Sequence, residues 1–537
     1  MEKFFNTAGP IIPADHYHIP SFERVDWDEI QSLIAQKRYF LLHAPRQTGK
    51  TSALLEMMQA LNEAGHYRAL YANIEGAQAA RNDVEAGIAT VCNALVRSAD
   101  VYLQEKRLSA WLNAEGKAMP AQDRFSALLA YWAGISDKPL VLFLDEADAL
   151  IGDTLVSLLR QIRAGYAQRP NAFPQSVVLC GLRDIKDYRI HVASGDVITG
   201  GSAFNIKAKS LRLGNFTEAE VRALYQQHTT ATGQAFDEAL FVEAWADTRG
   251  QPWLVNALAH EMTWEDRAAR DRSTPITLER YLAARERLIQ SRATHLDQLT
   301  DKLREPRVHG VIAPMLSAES SDEALDPNDV SYVYDLGLID RAINGELRIA
   351  NRIYQEIIPR ELAWGSQMAI SNQRQSWYLT PDRHLDMAKL LAAFQQFFRE
   401  NSKSWIERFD YKEAGPQLLM QAFLQRIING GGRINREYGL GRRRTDLLIE
   451  WPVNEVEGFH GEVQRIVIEL KLQHATLDTV LDKGLEQTAD YADKCRANEA
   501  HLVFFNRNPN VNWDDRIWNR TMEHGGRVIG VWAILST

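Results

Sequence analysis

Apolar runs recur between residues 37 and 213: "YFLLHA" (39–44), "YRALYANI" (67–74), "LVLFLD" (140–145), "SVVLCGL" (176–182) and the weaker "SLRLG" (210–214). Stretches of helical periodicity separate them. Strands that are apolar at consecutive positions are buried on both faces, so the pattern predicts a parallel sheet covered by helices. From 215 to 300 the apolar spacing becomes helical, and Thr217 with Glu220 forms a capping box at the start of "NFTEAEVRALYQQH". Residues 301–362 mix short helices with one hairpin. Asp326-Pro327 reads as an N-cap followed by an N1 proline, and Gly337 as the stop of that helix. Asn344-Gly345 sits between two alternating arms, a hairpin signal, and helices followed by a hairpin predict a winged helix. The polar stretch "WGSQMAISNQRQSWYLTPDR" reads as a linker, and Thr380-Pro381 as the start of a helix over 381–400. Strands and helices return in 401–537. The expected organisation is α/β and multidomain: a sheet core over 1–214, a helical lid over 215–300, a winged helix over 301–365, linker and helix over 366–400, and a second α/β domain over 401–537.

One alternating stretch breaks its own pattern. In "VIELKL" (467–472) the positions Ile468, Leu470 and Leu472 are apolar, while Val467, Glu469 and Lys471 bring a carboxylate and an ammonium to the other face. A second strand, "DLLIEW", opens at Asp446, and the polar, Gly-containing "PVNEVEGFHGEVQR" between them suits a hairpin connection. Two adjacent strands would gather Asp446, Glu469 and Lys471. Asp446 and Glu469 could then hold Mg²⁺ through oxygen, with the Leu470 carbonyl as a further ligand. Such a metal polarises a scissile phosphate and generates hydroxide, and Lys471 would activate the water or neutralise the phosphate. An E-x-K pair taken alone is usually an ion pair on a strand surface.

The sharpest motif is "YFLLHAPRQTGKTS". A strand runs into Ala44-Pro45-Arg46-Gln47-Thr48-Gly49-Lys50-Thr51, and a helix starts with Lys50, Thr51 and Ser52. This is the phosphate-binding loop pattern with alanine in place of its first glycine. Backbone N–H groups and a helix N-terminus favour the phosphates of ATP. Lys50 would bridge β- and γ-phosphates, Gly49 would allow close backbone approach, and Thr51 would place its hydroxyl on Mg²⁺. In "PLVLFLDEADAL" a buried strand ends at Asp145-Glu146. Asp145 is placed to hold the Mg²⁺ water shell, and Glu146 to orient and deprotonate the attacking water.

Composition narrows the class. The 537 residues, 45% hydrophobic and 24% charged, have the balance of a soluble globular protein of several domains. The net charge of −9 argues against indiscriminate coating of nucleic acid. Residues 401–537 nevertheless carry 18 Lys+Arg against 19 Asp+Glu, and Arg433, Arg436, Arg442, Arg443 and Arg444 cluster just before Asp446. They could track phosphates into a site, or form a solvated basic loop. Cys92, Cys180 and Cys495 are far apart, so the expectation is reduced thiols rather than a zinc knuckle or disulfide framework. No signal peptide or membrane helix is indicated, and the expected location is cytoplasmic.

"APRQTGKTS" and "LVLFLDEAD", with support from "TRGQPWLVNALA" (248–259), resemble the additional-strand ATPases of the AAA+ superfamily, in the branch shared by origin-recognition and STAND ATPases. The resemblance spans residues 10–360 and implies a P-loop sheet with a helical lid and winged helix. It places Gly250 and Pro252 near the nucleotide base; a helix-start proline is the other reading. It implies a polar sensor after the fourth strand, where Arg183 or Asp184 stands, and trans-acting arginines, for which Arg160 and Arg163 are candidates beside a plain solvated helix. Residues 405–510 resemble the PD-(D/E)XK nucleases, with Thr445 replacing proline before Asp446. Gln487 and Tyr491, four apart on a predicted helix, match the extra motif of the RecB-type branch, in which the glutamine orders the site. The two resemblances imply a restriction-endonuclease-like C-terminal domain and an ATP-controlled, Mg²⁺- or Mn²⁺-dependent nuclease. DNA stands ahead of RNA as its substrate, a homo-oligomer is allowed, and a role in prokaryotic antiviral defence fits by analogy. The competing class is an ATP-driven signalling or assembly switch whose C-terminal fold binds nucleic acid or a partner without cutting. A DNA-translocating motor ranks behind both.

Overall fold

The computed structural model describes residues 2–182, 189–191, 197–199, 206–291, 302–303, 305–316, 325–342, 345–362, 378–396, 398, 420, 423–424, 432–440, 443–454, 458–473, 477–506 and 517–535. The chain divides into two compact units. The first comprises Met1–Asp297, Ser331–Glu346 and Ala350–Ile353; the second comprises Gln298–Val330, Leu347–Ile349 and Tyr354–Thr537. The division therefore cuts through the stretch expected to be a winged helix.

The first unit is built on strands β1 (Tyr39–His43), β2 (Arg68–Asn73), β3 (Leu140–Asp145), β4 (Ser176–Gly181) and β5 (Lys207–Arg212). They pair in the order β2-β3-β4-β1-β5, all parallel. A strand thus stands between β1 and β3, which is the additional-strand arrangement. Alternate residues of each strand enter two separate cores. Phe40, Leu42, Ala69, Tyr71, Val141, Phe143 and Val178 pack under α1 (Trp27–Ala35) and α2 (Lys50–Ala64). Leu41, Leu70, Ala72, Leu142, Leu144 and Leu179 pack on the other face. That face is covered by α3 (Val84–Leu103), α4 (Ala121–Ile135) and α5 (Gly152–Ala164). Burial on both faces explains why β1 to β4 show no polar alternation.

Helices α6 (Glu218–Thr232), α7 (Glu238–Thr248), α8 (Pro252–His260) and α9 (Leu278–Gln290) follow in the same unit. The capping box of Thr217 and Glu220 is present. Gly250 has a φ of +70°, and a Cβ there would lie 1.9 Å from the Phe216 carbonyl oxygen, so only glycine fits. The N-terminal segment straps this region to the core. The Ile11 N–H donates to Ser52 Oγ and the Ser21 N–H to Glu56 Oε2, both on α2. Trp253 Nε1 donates to the Thr7 carbonyl, and Gln227 exchanges two hydrogen bonds with the His18 backbone.

Further along, α10 (Pro306–Leu316) and α11 (Pro327–Asp335) precede two short strands, β6 (Ile339–Arg341) and β7 (Leu347–Ile349), and then α12 (Arg352–Leu362). Asp326 caps α11 through the Asn328 N–H, and Gly337 ends it with a φ of +77°. The Ala342 N–H donates to the Glu346 carbonyl at the expected turn; Asn344 itself lies outside the described residues.

The helix expected over 381–400 starts later, at residue 387. Thr380-Pro381 instead belongs to a tight turn, in which the Thr380 N–H donates to the His384 carbonyl and the Arg383 N–H to the Thr380 carbonyl. Asp386 is the cap, accepting from the Lys389 N–H. A Thr-Pro pair suits a turn as well as a helix start, and here the local hydrogen bonds decide.

The second unit carries a six-stranded mixed sheet: β8 (Arg433–Leu440), β9 (Arg443–Pro452), β10 (Val463–Gln473), β11 (Glu499–Asn506), β12 (Trp518–His524) and β13 (Arg527–Leu535), ordered β8-β9-β10-β11-β13-β12. The first three form an antiparallel meander, and β11 runs parallel to β10 after the crossover helix α13 (Leu477–Lys494). Helix α13 covers one face, packing Leu485 and Tyr491 against Leu448, Val467, Leu502 and Val531. The opposite face meets aromatic side chains, with Phe398 against Phe505 and Phe394 against Phe423.

Candidate functional site

The sharpest geometry lies at the C-terminal edge of the parallel sheet, where β1 and β3 end. Ala44 is fully buried, and its N–H donates to the Gly181 carbonyl of β4. The departure from glycine at this position is thus tolerated by a buried methyl. Gln47 (φ +57°) and Gly49 (φ +86°) are left-handed, which turns the chain sharply into α2. Lys50 is buried, and its Nζ lies 3.2 Å from the carbonyls of both Ala44 and Pro45. Thr48 Oγ1 donates to the Pro45 carbonyl, and the Arg24 guanidinium to the Thr48 carbonyl. Arg46 is on the loop, and Ser52, one residue past Thr51, accepts from the N-terminal strap.

Thr51 Oγ1 donates to Asp145 Oδ2 at 2.7 Å. The two motifs, 94 positions apart, therefore meet. Asp145 is fully buried; its Oδ1 accepts from the Glu146 N–H at 3.0 Å and its Oδ2 also from Tyr71 Oη at 3.1 Å. Glu146 is a left-handed residue (φ +56°), an uncommon conformation for a glutamate that costs strain. Burial pushes the Glu146 carboxyl up, the Lys50 ammonium opposes this, and Asp148 adds to it. Oxygen donors of hydroxyl and carboxylate type, with an ammonium beside them, fit a hard divalent cation and an anionic phosphate.

Residues that pattern reading passed over complete the site. Gln251, inside the Gly250–Pro252 motif, caps α8 by accepting from the Leu254 N–H, while its Nε2 lies 3.4 Å from the Gln47 carbonyl. Pro252 is buried at the first position of α8. The motif thus touches the loop through its middle residue, whose capping role a sequence pattern does not distinguish. Asp148 accepts from the Leu182 N–H at the end of β4. Arg160 and Arg163 are exposed on α5. Arg183 and Asp184 lie outside the described residues.

The second unit holds the other predicted cluster. Val467, Glu469 and Lys471 alternate on the face of β10 that Val467 turns toward α13. Glu469 is 2% exposed, and Lys471 Nζ donates to its Oε1 at 2.8 Å. The carboxylate is buried while the Lys471 side chain is 26% exposed, so the pair is part-buried rather than a plain surface pair. The register Leu447↔Ile468 between β9 and β10, continued by one step, brings position 446 opposite Glu469. The Asp446 side chain lies outside the described residues, as do those of Arg436, Arg442, Arg443 and Arg444. Among the described residues no group of three His, Cys, Asp or Glu is placed to hold a metal ion. Gln487 is half-buried on α13, and Tyr491, one turn on, is packed in the core beneath that helix. Arg433 stacks on Phe459, 3.6 Å from the ring centre. All three cysteines are free and buried, and among the described residues no helix is long and apolar enough to cross a membrane.

No family model matches this sequence, and no curated protein does. Solved structures do resemble it. A Walker-type ATPase of Pyrococcus abyssi aligns with 66% of this chain and 99% of its own at 14% identity and a TM-score of 0.44. Cdc6p from Pyrobaculum aerophilum aligns with 64% of this chain and 94% of its own, at 15% identity and a TM-score of 0.36. The RuvB Holliday junction branch migration motor of Thermotoga maritima aligns with 62% and 95%, at 12% identity and a TM-score of 0.30. At this distance the chemistry rests on the residues themselves.

Proposed function

We propose that the protein binds and hydrolyses MgATP in its first unit and uses that cycle to control a metal-dependent DNA nuclease in its second. The observation that carries the first half is the Thr51–Asp145 contact at the edge of a parallel sheet, beneath a left-handed loop that opens α2. Ala44 to Ser52 would cradle the triphosphate through backbone N–H groups. Lys50 would exchange the two loop carbonyls it now meets for β- and γ-oxygens. Thr51 and Asp145 would hold the magnesium ion and its water shell. The bound ion supplies neutralisation of the phosphate charge that builds up during transfer. Glu146 would accept the proton of the attacking water, and its raised carboxyl pKa makes it a better acceptor at neutral pH than an ordinary carboxylate. Gln251 and Pro252 would close the lid side of the site.

For the second half, Asp446 and Glu469 would share a divalent ion, with Mn²⁺ able to replace Mg²⁺. Such an ion supplies polarisation of a phosphodiester. Lys471 would hand its charge from Glu469 to the scissile phosphate, and Gln487 would orient the pair from α13. Support comes from a buried acidic position on the inner face of a meander, a crossover helix over that face, and a carboxylate-bearing position opposite it in the register. Basic positions on β8 and β9 would guide the DNA backbone toward it.

A binding-only switch is the second reading. The Lys471–Glu469 ion pair favours it, since that pair engages Glu469 Oε1 without a metal. Purified full-length protein incubated with linear, circular and single-stranded DNA, Mg²⁺ or Mn²⁺, and with or without ATP separates the two. Cleavage that is lost in Glu469→Ala and altered by ATP supports the nuclease. Metal-independent binding without cleavage supports the switch.

A further inference from the structure

Tyr71 lies on β2 and belongs to the apolar core under α2. Its backbone N–H approaches Met58 Sδ, and its ring meets Tyr102 edge-on at 6.2 Å. A phenylalanine would fill this space equally well, so packing does not account for the hydroxyl. A hydroxyl in an apolar core is costly unless it is bonded. Here it donates to Asp145 Oδ2 at 3.1 Å. The register explains how it reaches: Asn73 pairs with Asp145, and Tyr71, two residues earlier on the same face, extends diagonally toward the carboxylate.

We propose that Tyr71 is a positioning residue of the nucleotide site, holding the Asp145 carboxylate in the orientation that serves the divalent cation of MgATP. The inference rests on the MgATP reading given above. A buried carboxylate turns about a broad torsion unless donors fix both oxygens. The Glu146 N–H fixes Oδ1. Two hydroxyls share Oδ2, and they differ in kind. Thr51 stands at the start of α2 in the phosphate loop and takes up the ligand as that loop does. Tyr71 is anchored on β2, outside the loop, and its hydroxyl also meets the Asn73 and Thr51 side chains. The apolar character of "YRALYANI" hides the residue from motif reading.

The test uses the full chain and a fluorescent ATP analogue, titrated with Mg²⁺ and, separately, in EDTA. Tyr71→Phe should bind the analogue in EDTA within twofold of the parent, while the Mg²⁺ concentration for half-maximal enhancement of binding rises about tenfold. An unchanged Mg²⁺ requirement overturns the proposal, and so does an equal loss in both conditions, which marks a structural role. In an Asp145→Asn background the same substitution should change nothing further; an additive loss also overturns it. If the parent protein shows no Mg²⁺-dependent binding at all, the MgATP reading itself falls, a result distinct from an insensitive Tyr71→Phe.

Discussion

The two sheets of this protein carry acidic chemistry in opposite ways. In the parallel sheet of the first unit, strands β1 to β4 have apolar centres, and the candidate site groups gather where strands end. Asp145 closes β3, Glu146 follows it in a strained conformation, and Lys50 and Thr51 open the helix after β1. In the mixed sheet of the second unit, the candidate positions lie within a strand. Glu469 and Lys471 take two places on an inner face that Val467 shares with the core under α13. At the strand end Asp145 is fully buried, and backbone and hydroxyl donors hold its two oxygens. A charge inside a sheet must be held by a partner, and Lys471 is that partner. The first arrangement therefore depends on loop geometry, and the second on an ion pair that must be broken or remade.

The largest expected effect tests the second arrangement. Glu469→Ala should lower DNA cleavage by about a thousandfold or more in a gel assay, because both the metal and Lys471 lose their carboxylate. A variant that still cuts at the parent rate removes the assigned site from the chemistry. Next comes Glu146→Gln, which should reduce steady-state ATP hydrolysis by about a hundredfold while leaving nucleotide affinity within a few-fold.

The same residue makes a stability prediction. Its folded-state carboxyl pKa lies above the unfolded one, so the folded state prefers the protonated form. Above the ordinary carboxylate range the ionised group costs stability, and that cost is relieved as pH falls through the raised pKa. Glu146→Gln should therefore melt slightly higher than the parent at pH 7, and the gain should vanish toward pH 4. Hydrolysis should also fall on the acid side at a higher pH than an unperturbed glutamate would give. A pH–rate profile for kcat from pH 5 to 9 reads this directly. Gly250→Ala is expected to destabilise by about 2 kcal/mol through a strained φ and a clash with the Phe216 carbonyl, measured by denaturant unfolding.

How much was readable in the sequence follows the same division. Strands β1 to β4 lie within a residue or two of their apolar runs, because burial on both faces leaves a continuous signal. The phosphate loop is readable because glycine, lysine and threonine must occupy fixed places in one short turn. Strand β8 was not, since "RINREYGL" is polar at most positions and lies at a sheet edge. The β12–β13 hairpin was also passed over, although Gly525-Gly526, both left-handed, supplied a turn signal. Tyr71 and Gln251 escaped for a different reason. Each looks like an ordinary strand or cap residue, and only the fold places its polar end beside the site. The Glu469–Lys471 anomaly was visible as a broken alternation, but its burial was not.

The most direct measurement is the rate of DNA cleavage by the full-length protein in Mg²⁺, with and without ATP, beside Lys50→Ala. The account predicts that ATP changes the parent's rate, and that Lys50→Ala cuts at the ATP-free rate whether or not ATP is added. Cleavage that responds to ATP identically in both proteins would contradict it.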